Sequence, residues 1–323
     1  MQIVHSVAQA RPSSDSHVTI GVFDGIHRGH QQLLTDMVGA AHSLHNIAIA
    51  ITFDPHPATT LGYEHPSLLT SVEERAELMA MLGLDLLIVL PFNTATAHTS
   101  AADFVAGLIR HLHLAELWGG ADFAFGYQRE GDIQFLQHMG AERGFAVRVV
   151  EPLMWEGAPV SSSRVRDALK AGDIHQAVGC LGRPYRLAGT ILRGRDQGPG
   201  MGRRTGIPTA NLSPPPRRLI PADGVYACLA HTAHLGTHPA MVNISTCFTL
   251  PEQEPSVEAH LLDFDANLYN QTLILDFVAR LRDKRPLPTV SALVEQIRKD
   301  IAQTRERLGV IALADRVKLT ANG

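Results

Sequence analysis

The sequence predicts an α/β domain of the doubly wound, Rossmann-like type, followed by an antiparallel β-barrel domain that ends in a helix. In the first half, short apolar runs alternate with helical patterns, which is typical of a parallel sheet with helices on both faces. In the second half the strands are short and separated by Gly and Pro, which favours a barrel. The pattern changes after Gly182-Arg183-Pro184, so we expect two domains, at residues 1–183 and 184–323.

The elements of the first domain follow from apolar runs and capping signals. Ser71 and Glu74 fit a capping box that begins a helix, and Gly83 ends it. Ser100 or Thr99 caps another helix. Strands are expected at residues 18–23, 47–53, 85–92, 114–118 and 145–151, and helices at 29–44, 71–83, 100–112 and 131–143. Ligands bind beyond the carboxyl ends of the strands in such sheets, so the loops there should carry the chemistry.

The second domain is preceded by a short helix at 173–181 and consists of alternating strands. We expect strands at residues 185–192, 224–231, 239–244, 256–264 and 273–278. A final helix at 291–308 should pack on the barrel, because it carries an apolar stripe at helical spacing. The stripe consists of Leu293, Ile297, Ile301 and Leu308.

The composition favours a soluble cytoplasmic protein. The chain of 323 residues is long for one hydrophobic core, and its content of 45% hydrophobic and 19% charged residues is ordinary for a globular protein. The net charge is −4, and no basic stripe suggests nucleic acid as a partner. The three cysteines lack the spacing of a zinc site. No apolar run reaches the ~18 residues of a membrane span, so we expect no membrane partner.

Residues 18–30 combine a strand, a glycine-containing turn and the N-terminus of a helix. Gly21 and Gly25 bracket the turn, and glycine lets a backbone approach a ligand closely. Unpaired N–H groups and the positive end of the helix dipole favour an anion there. His27 and His30 are three residues apart, so both imidazoles can share one face and hold phosphate oxygens. The alternative is a pair of surface or core histidines, which the strand–turn–helix context disfavours.

Three later loops contain further candidate residues, and the residues alone leave two interpretations of each. Residues 54–57 form either a rigid proline turn or a ligand-facing loop. Phe123 and Phe125 lie in a glycine-rich loop, where they can stack on a flat ring or pack in the core. The serines and arginines at 161–166 open a helix, where the hydroxyls act as caps or form a phosphate clamp with the arginines.

The second half contains two candidate segments of its own. Residues 194–206 are rich in glycine and arginine and form either a solvated basic loop or a wrap around ATP phosphates. Thr209 and Asn211 follow this loop and offer oxygens suited to Mg²⁺. Glu258 and His260 should share one face of a strand, opposite to its apolar residues. Glu258 could take the proton from a primary alcohol, or it is an exposed strand carboxylate.

These motifs together resemble the prokaryotic bifunctional FAD synthetases, which combine a riboflavin kinase and an FMN adenylyltransferase. Residues 21–30 resemble the family's nucleotidyltransferase signature G-x-F-D-G-x-H-x-G-H, and the three later loops resemble its FxPHP, G-x-D-F-x-F-G and S-S-[ST]-x-[IV]-R motifs. Residues 206–212 and 257–269 resemble its kinase motifs G-[FI]-P-T-A-N-L and V-E-x-H-L-L-D-F-D-x-x-L-Y. The resemblance spans nearly the whole chain and implies a nucleotidyltransferase domain followed by a riboflavin-kinase-like barrel.

The resemblance also implies a two-step reaction and a role for each matching residue. Riboflavin would be phosphorylated to FMN with ATP and Mg²⁺, and the FMN phosphate would then attack the α-phosphorus of a second ATP to give FAD and pyrophosphate. His27, His30 and Arg166 would act on the ATP phosphates, and Glu258 would be the general base on riboflavin. The implied Mg²⁺ ligands are Thr209 and Asn211, and the other implied ligand-binding residues are Gly21, Phe23, Asp24, Gly25, Gly29, Asp54, His56, Pro57, Asp122, Phe123, Phe125, Ser162, Ser163, Gly206 and Pro208.

The chain departs from the family at residues 243–250. The family has N-I-G-x-R-P-T-F there, whereas this chain has Asn-Ile-Ser-Thr-Cys-Phe-Thr-Leu. Three alternatives therefore stay beside the two-step enzyme: an adenylyltransferase with an impaired kinase half, a nucleotidyltransferase for another acceptor, and a non-catalytic flavin-binding regulator. Because Thr209, Asn211 and Glu258 are present, we favour an active kinase.

Overall fold

The computed structural model describes residues 1–62, 66–192, 207–246 and 255–321, with side chains as far as residue 309. The chain divides into two compact units, Met1–Ser162 and Ser163–Gly323. The domain boundary between residues 183 and 184 stays a prediction. Among the described residues, no helix is both long enough and apolar enough to cross a bilayer.

The first unit is built on a six-stranded parallel sheet. The strands are β1 (Gln2–Val4), β2 (Ser16–Ile20), β3 (Ile47–Asp54), β4 (Leu86–Pro91), β5 (Leu114–Gly120) and β6 (Ala146–Val150). They lie in the order β1-β4-β3-β2-β5-β6, and every neighbouring pair is parallel. The chain moves from β2 to β3 and β4 on one side and then returns to β5 on the other. The carboxyl ends of β2 and β5 therefore form the switch point of the sheet.

Helices connect these strands, and a short hairpin follows them. The helices are α1 (Arg28–Ser43), α2 (Pro57–Thr60), α3 (Val72–Met81), α4 (Thr94–Ala97), α5 (Ala101–Leu112) and α6 (Ile133–Arg143), and the hairpin consists of β7 (Met154–Trp155) and β8 (Ala158–Pro159). The predicted capping box of Ser71 and Glu74 begins α3, and Ser100 caps α5. Local capping signals thus placed both helix starts correctly.

Both faces of the sheet are buried against helices. One face of β3 presents Ile49 and Ile51 to an apolar cluster that includes residues of α5. The opposite face presents Ala48 and Ala50 to a second cluster, which includes residues of α1 and α3. A strand buried on both faces needs an unbroken apolar run, and this explains the composition of β3. The predicted doubly wound sheet is confirmed.

Two details of the sheet differ from the prediction. β1 was not predicted, because it has three residues at the sheet edge and two of them are exposed. The first predicted strand, at 18–23, lies instead at Ser16–Ile20. Val22 and Phe23 belong to the following turn, since Phe23 has a φ of 54°, which no strand residue adopts.

The second unit contains a closed antiparallel barrel, as predicted. Its strands are β9 (Tyr185–Leu192), β10 (Ala210–Ser213), β11 (Gly224–Thr232), β12 (Gly236–Ser245), β13 (Ser256–Leu261) and β14 (Thr272–Arg282), in the order β10-β13-β12-β11-β14-β9. The helices α7 (Ser162–Ala171) and α8 (Ile174–Leu181) precede the barrel, and α9 (Val290–Ala321) follows it. β10 was not predicted, because its four residues run directly into three prolines.

The C-terminal helix packs on the barrel, as its apolar stripe predicts, and it is longer than the predicted 291–308. Ile297 of α9 is buried with Val225 and Met241 of the barrel wall. Asp300 is 1% exposed and accepts hydrogen bonds from Arg282 Nε at 3.0 Å and Nη2 at 2.8 Å. A buried carboxylate needs such a partner, so this ion pair fixes the position of α9 on the barrel.

Candidate active sites

The turn between β2 and α1 lies at the switch point of the first unit. Three of its residues have left-handed backbone angles, Phe23 (φ 54°), Gly25 (φ 83°) and Ile26 (φ 38°). The Gly25 N–H donates to Thr70 Oγ1 at 2.8 Å, which fixes the turn to the segment before α3. The α1 N-terminus therefore begins directly beyond the carboxyl end of β2, as an anion site requires.

His27 and His30 share one face at the start of α1. His27 is the N-cap residue, and its Nδ1 accepts a hydrogen bond from the His30 backbone N–H at 3.3 Å. The two imidazoles stack, with centroids 3.6 Å apart and planes 17° from parallel. A Cβ at Gly29 would lie 3.3 Å from the His27 ring, which is a tight contact. Glycine at this position avoids that contact and lets the ring pack against the backbone. The sequence prediction of a shared face is confirmed.

His30 is held as a neutral imidazole. Burial lowers the pKa of His30 well below 6.5, and the neighbouring His27 lowers it further. Nδ1 of His30 is buried and has no hydrogen-bond partner among the described residues. Buried polar atoms are nearly always paired in folded proteins, so this nitrogen is available for a ligand oxygen.

Asp24 and Phe23 point into the protein. Asp24 is 3% exposed, and its carboxylate accepts hydrogen bonds from the backbone N–H of Leu69 at 3.1 Å and of Thr70 at 3.0 Å. The Asp24 carbonyl accepts from Ser162 Oγ at 2.8 Å. Phe23 is buried in the apolar cluster beneath α1 and meets the His30 ring edge-on at 5.1 Å. Both side chains therefore hold the turn in place.

Sequence reasoning missed Arg75, which lies behind the same turn. Arg75 belongs to α3 and is 3% exposed. Its Nη1 donates to the Val22 carbonyl at 2.6 Å and to Thr52 Oγ1 at 2.8 Å. Arginine on a surface helix is ordinarily exposed, so nothing in the local pattern signals this burial.

The loop after β3 has a structural explanation of its own. His56 is the N-cap of α2, and its Nδ1 accepts a hydrogen bond from the Ala58 N–H at 3.2 Å. Pro57 occupies the first helical position, where its missing N–H costs nothing. Asp54 ends β3 and is exposed. These residues form the rigid turn that was one of the two interpretations, and their contact with a ligand stays a prediction.

The loop after β5 combines core packing with partial exposure. Phe123 and Phe125 stack with centroids 5.4 Å apart, and both are partly buried against the core beside α5. A Cβ at Gly119 would lie 3.2 Å from the Phe123 ring, so the strand end approaches this ring closely. Asp122 is exposed. The loop thus presents partly exposed aromatic rings beyond a strand next to the switch point.

Ser162, Ser163 and Arg166 all lie in the first turns of α7. Ser162 closes the first unit and donates to the Asp24 carbonyl. Ser163 and Arg166 are counted in the second unit and are three residues apart, so they share one face of the helix. Their contact with phosphate stays a prediction.

In the second unit, three polar residues face each other across neighbouring strands. Asn211 of β10 pairs in register with Glu258 of β13, and Glu258 pairs with Asn243 of β12. Directly paired residues of antiparallel strands project to the same face, with Cβ atoms about 4.5–5.5 Å apart. We call these three residues the polar row. Asn243 was not among the predicted site residues, because register between distant strands leaves no local signal in the sequence.

Glu258 is partly buried on the outer face of the barrel wall. Its neighbours Val257 and Ala259 are each 1% exposed, which confirms the predicted alternation along β13. Burial raises the pKa of the Glu258 carboxyl above its ordinary value of 4.5, and Lys284 opposes this shift. Glu258 Oε2 is buried without a hydrogen-bond partner among the described residues. A carboxylate in this state accepts a proton more readily than an exposed one.

The segment that precedes β10 is held against β13. His260 Nδ1 donates to the Pro208 carbonyl at 2.8 Å, and Thr209 is partly buried next to it in the chain. Gly206 and residues 194–205 lie outside the described residues. The oxygens of Thr209 and Asn211 are hard donors of the type that Mg²⁺ binds, so the donor set fits this ion.

The altered segment at residues 243–250 is described as far as Thr246. Ser245 lies at the end of β12, with its Oγ 2.9 Å from Ser256 Oγ. Thr246 Oγ1 donates to Asp223 at 2.8 Å, and its backbone N–H donates to the same carboxylate at 2.9 Å. The replacements thus begin in a segment that the barrel holds by ordinary hydrogen bonds, and residues 247–250 lie outside the described residues.

Comparisons with known proteins cover both units. A family model described as FAD synthetase matches residues 9–164, and one described as riboflavin kinase matches residues 181–308. A protein described as bifunctional riboflavin kinase/FMN adenylyltransferase from Pseudomonas fluorescens is 35% identical over 308 residues, which is 94% of this chain and 97% of the relative. A protein of the same description from Escherichia coli (strain K12) is 32% identical over 95% of this chain and 97% of the relative. A crystal structure described as a macrolide-efflux protein from Streptococcus pneumoniae is 29% identical, covers 94% of this chain and 98% of that chain, and superimposes with a TM-score of 0.84.

Proposed function

The chain belongs to the bifunctional riboflavin kinase/FMN adenylyltransferase family, and we propose that its two reactions take place at the β2–α1 turn and at the polar row. The protein is a transferase of FAD biosynthesis. It phosphorylates riboflavin to FMN with ATP and adenylylates FMN to FAD. Its substrates are therefore small molecules, ATP and flavins.

For adenylyl transfer, the observation that carries the proposal is the stacked pair of His27 and His30 at the α1 N-terminus. An oxygen of the FMN phosphate attacks the α-phosphorus of ATP, and the bond to the leaving pyrophosphate breaks. Negative charge spreads over the phosphoryl oxygens, and fixed N–H donors stabilise it without a protein nucleophile. The unpartnered nitrogen of His30 and the positive end of the α1 dipole supply such stabilisation. Because burial keeps His30 neutral, it acts as a hydrogen-bond donor and not as a cation.

The remaining residues of this site divide into those that hold the turn and those that meet the ligands. Gly21, Gly25 and Gly29 let the backbone and the histidine rings come close to the triphosphate. Phe23 and Asp24 hold the turn in place through their buried contacts. The ligand-facing residues carried over from the family are Ser162, Ser163 and Arg166 for phosphate, and Asp54, His56, Pro57, Asp122, Phe123 and Phe125 for the flavin.

For riboflavin phosphorylation, we propose Glu258 as the general base. Its carboxylate takes the proton of the ribityl 5′-hydroxyl while that oxygen attacks the γ-phosphorus of ATP, and ADP leaves. Its burial and its missing hydrogen-bond partner support this role. Thr209 and Asn211 would hold Mg²⁺, which neutralises charge on the phosphates when bound. Asn211 pairs in register with Glu258, so the proposed metal ligand and base lie side by side.

Product analysis by chromatography tests both assignments in one experiment. The purified protein is incubated with ATP and Mg²⁺ and with either riboflavin or FMN. The unchanged protein should yield FAD from both substrates. His30→Ala should convert riboflavin only to FMN, and Glu258→Gln should yield FAD only from FMN. His42→Ala, at the exposed end of α1, serves as a matched control and should behave like the unchanged protein.

Each possible failure of this experiment has a distinct meaning. Equal loss of both reactions in His30→Ala would contradict separate sites. FAD from FMN alone in the unchanged protein would indicate that the replacements at 243–250 impair the kinase half. The cytoplasmic location expected from the sequence stays a prediction, which cell fractionation would test.

A further inference from the structure

Another pair of stacked rings lies beyond the carboxyl edge of the first sheet, and no predicted motif includes either ring. Tyr127 directly follows the glycine-rich loop after β5, and His98 lies between α4 and α5. Their ring centroids are 5.1 Å apart, and their planes are 23° from parallel. Both residues are exposed, Tyr127 to 39%. The pair therefore adds flat aromatic surface to the edge of the sheet at which ligands bind.

The backbone around Tyr127 has an unfavourable conformation. Gln128 and Arg129, which follow Tyr127, have left-handed φ angles of 52° and 63°, although both carry side chains. Gly126, which precedes it, has a φ of 77°. Left-handed angles in residues other than glycine persist where the surrounding contacts impose them, and they cluster at active sites and ligand clamps. The segment thus has a defined shape that its own residues do not favour.

Close contacts with the start of α5 impose this shape. The Tyr127 backbone N–H donates a hydrogen bond to the Thr99 carbonyl at 2.9 Å. A Cβ at Gly126 would lie 2.8 Å from the Ala101 Cβ and backbone nitrogen, so this approach requires glycine. Because His98 directly precedes Thr99, the same contacts fix the Tyr127 ring beside the His98 ring.

The Tyr127–His98 pair joins the two loops that are proposed to meet the flavin. Tyr127 lies two residues after Phe125 of the loop after β5. His98 is the C-cap residue of α4, which packs against α2, the helix that follows the loop after β3. The segment before α4 is held to that loop as well, because the Phe92 N–H donates to the Asp54 carbonyl at 3.3 Å. The pair and the two loops therefore form one continuous wall at this edge of the sheet.

We propose that Tyr127 and His98 form an outer wall of the flavin subsite for adenylyl transfer, against which the isoalloxazine ring of FMN packs. This inference rests on the proposed function, because it takes the loops after β3 and β5 as the place where the flavin binds. A flat conjugated ring is stabilised by packing against aromatic side chains. The pair holds the flavin and takes no part in the transfer of the adenylyl group. Its loss should therefore weaken the binding of FMN and leave the binding of ATP unchanged.

Steady-state kinetics of FAD formation test the proposal, with FMN and ATP varied in turn. Tyr127→Ala should raise the KM for FMN about tenfold, which corresponds to about 1.4 kcal/mol, and leave the KM for ATP unchanged. Tyr127→Phe keeps the ring and should have a nearly normal KM for FMN. His98→Ala removes the stacking partner and should raise the KM for FMN about threefold. His138→Ala, at an exposed position of α6, is the matched control for His98→Ala and should behave like the unchanged protein.

An unchanged KM for FMN in Tyr127→Ala would overturn the proposal. So would an equal rise in the KM for FMN and the KM for ATP, or a rise that Tyr127→Phe shares, since either would indicate that Tyr127 only supports the fold. If Tyr127→Ala forms no FAD, His98→Ala decides: a raised KM for FMN alone supports the proposal, and an unchanged KM overturns it.

Phe125→Ala separates this failure from a failure of the proposed flavin site. If the KM for FMN rises in Phe125→Ala but not in Tyr127→Ala, only this inference is wrong. If it rises in neither variant, the flavin binds elsewhere, and the proposed location itself is wrong as well.

Discussion

Replacing Glu258 with glutamine should stop riboflavin phosphorylation and stabilise the protein at the same time. Glu258 Oε2 is buried without a described hydrogen-bond partner, and burial raises the pKa of this carboxyl. Each unit by which burial raises the pKa costs the folded state about 1.4 kcal/mol when the carboxyl is ionised, and glutamine of similar shape carries no charge into the same place. A general base contributes about 10²–10⁴-fold to a reaction rate. Activity and stability should therefore change in opposite directions.

The gain in stability should depend on pH with a definite sign. Because the folded-state pKa of Glu258 is raised above its ordinary 4.5, ionisation of this carboxyl opposes folding. The unchanged protein therefore loses stability as the pH rises from the unfolded-state pKa through the folded-state pKa. Glutamine does not ionise, so the difference between the two proteins should be small near pH 4 and complete above the folded-state pKa.

Thermal unfolding at about pH 4 and at about pH 7.5 measures this difference in stability. The melting temperature of a domain of 150–250 residues should shift by about 2–4 °C for each kcal/mol. Chromatography of FMN and FAD measures the activities, and adenylyl transfer from FMN should be unchanged. Glu306→Gln, at an exposed position of α9, is the matched control. Unchanged kinase turnover and an unchanged melting temperature would show that Glu258 is an exposed strand carboxylate, and loss of both would show that it is a structural residue.

Three further predictions follow from the described contacts. Asn243→Ala should slow riboflavin phosphorylation about two- to tenfold, because Asn243 lies beside Glu258 and the loss of one hydrogen bond there costs about 0.5–1.5 kcal/mol. Steady-state kinetics with unchanged FAD formation from FMN would confirm it. Asp300→Ala removes the carboxylate that pairs with Arg282 and should lower the free energy of unfolding by about 3–5 kcal/mol. Unfolding in urea measures this change, and Asp300→Asn should lower the free energy of unfolding by less. Since burial lowers the pKa of His30, this imidazole should stay neutral between about pH 8 and about pH 6.5. Proton NMR of the ring signals of the unchanged protein measures this, and a His30 titration centred near pH 6.5 would contradict the buried neutral state.

The sequence predicted those features that local patterns encode. The unbroken apolar run of β3 and the capping box at Ser71 each need only neighbouring residues, and both were predicted correctly. β10 was missed because four residues are too few for a visible alternation. Its place in the barrel depends on pairing with strands that are distant in the sequence.

In the candidate site, too, the sequence predicted what neighbouring residues determine and missed what depends on residues distant in the chain. The shared face of His27 and His30 follows from their spacing of three residues and was predicted, whereas the stacking of their rings was not. A motif does not tell which of its side chains are buried, and Asp24 is 3% exposed in the structure, while its contact with a ligand stays a prediction. Arg75 and Asn243 were missed because their importance arises from burial and from strand register, both of which depend on the whole fold.

The strand β10 joins the assembly of the proposed kinase site to the closure of the barrel. It is the shortest strand of the barrel, it bonds to β9 on one side and to β13 on the other, and it carries Asn211. A Cβ at Gly189 of β9 would lie only 2.5 Å from the Ser213 carbonyl oxygen, so this seam closes only around a residue without a side chain. A partly folded barrel that lacks β10 has Glu258 but no Asn211 beside it. With Glu258 and Asn211 acting as proposed, kinase turnover arises only in molecules in which β10 is paired, so turnover reports the fraction of closed barrels.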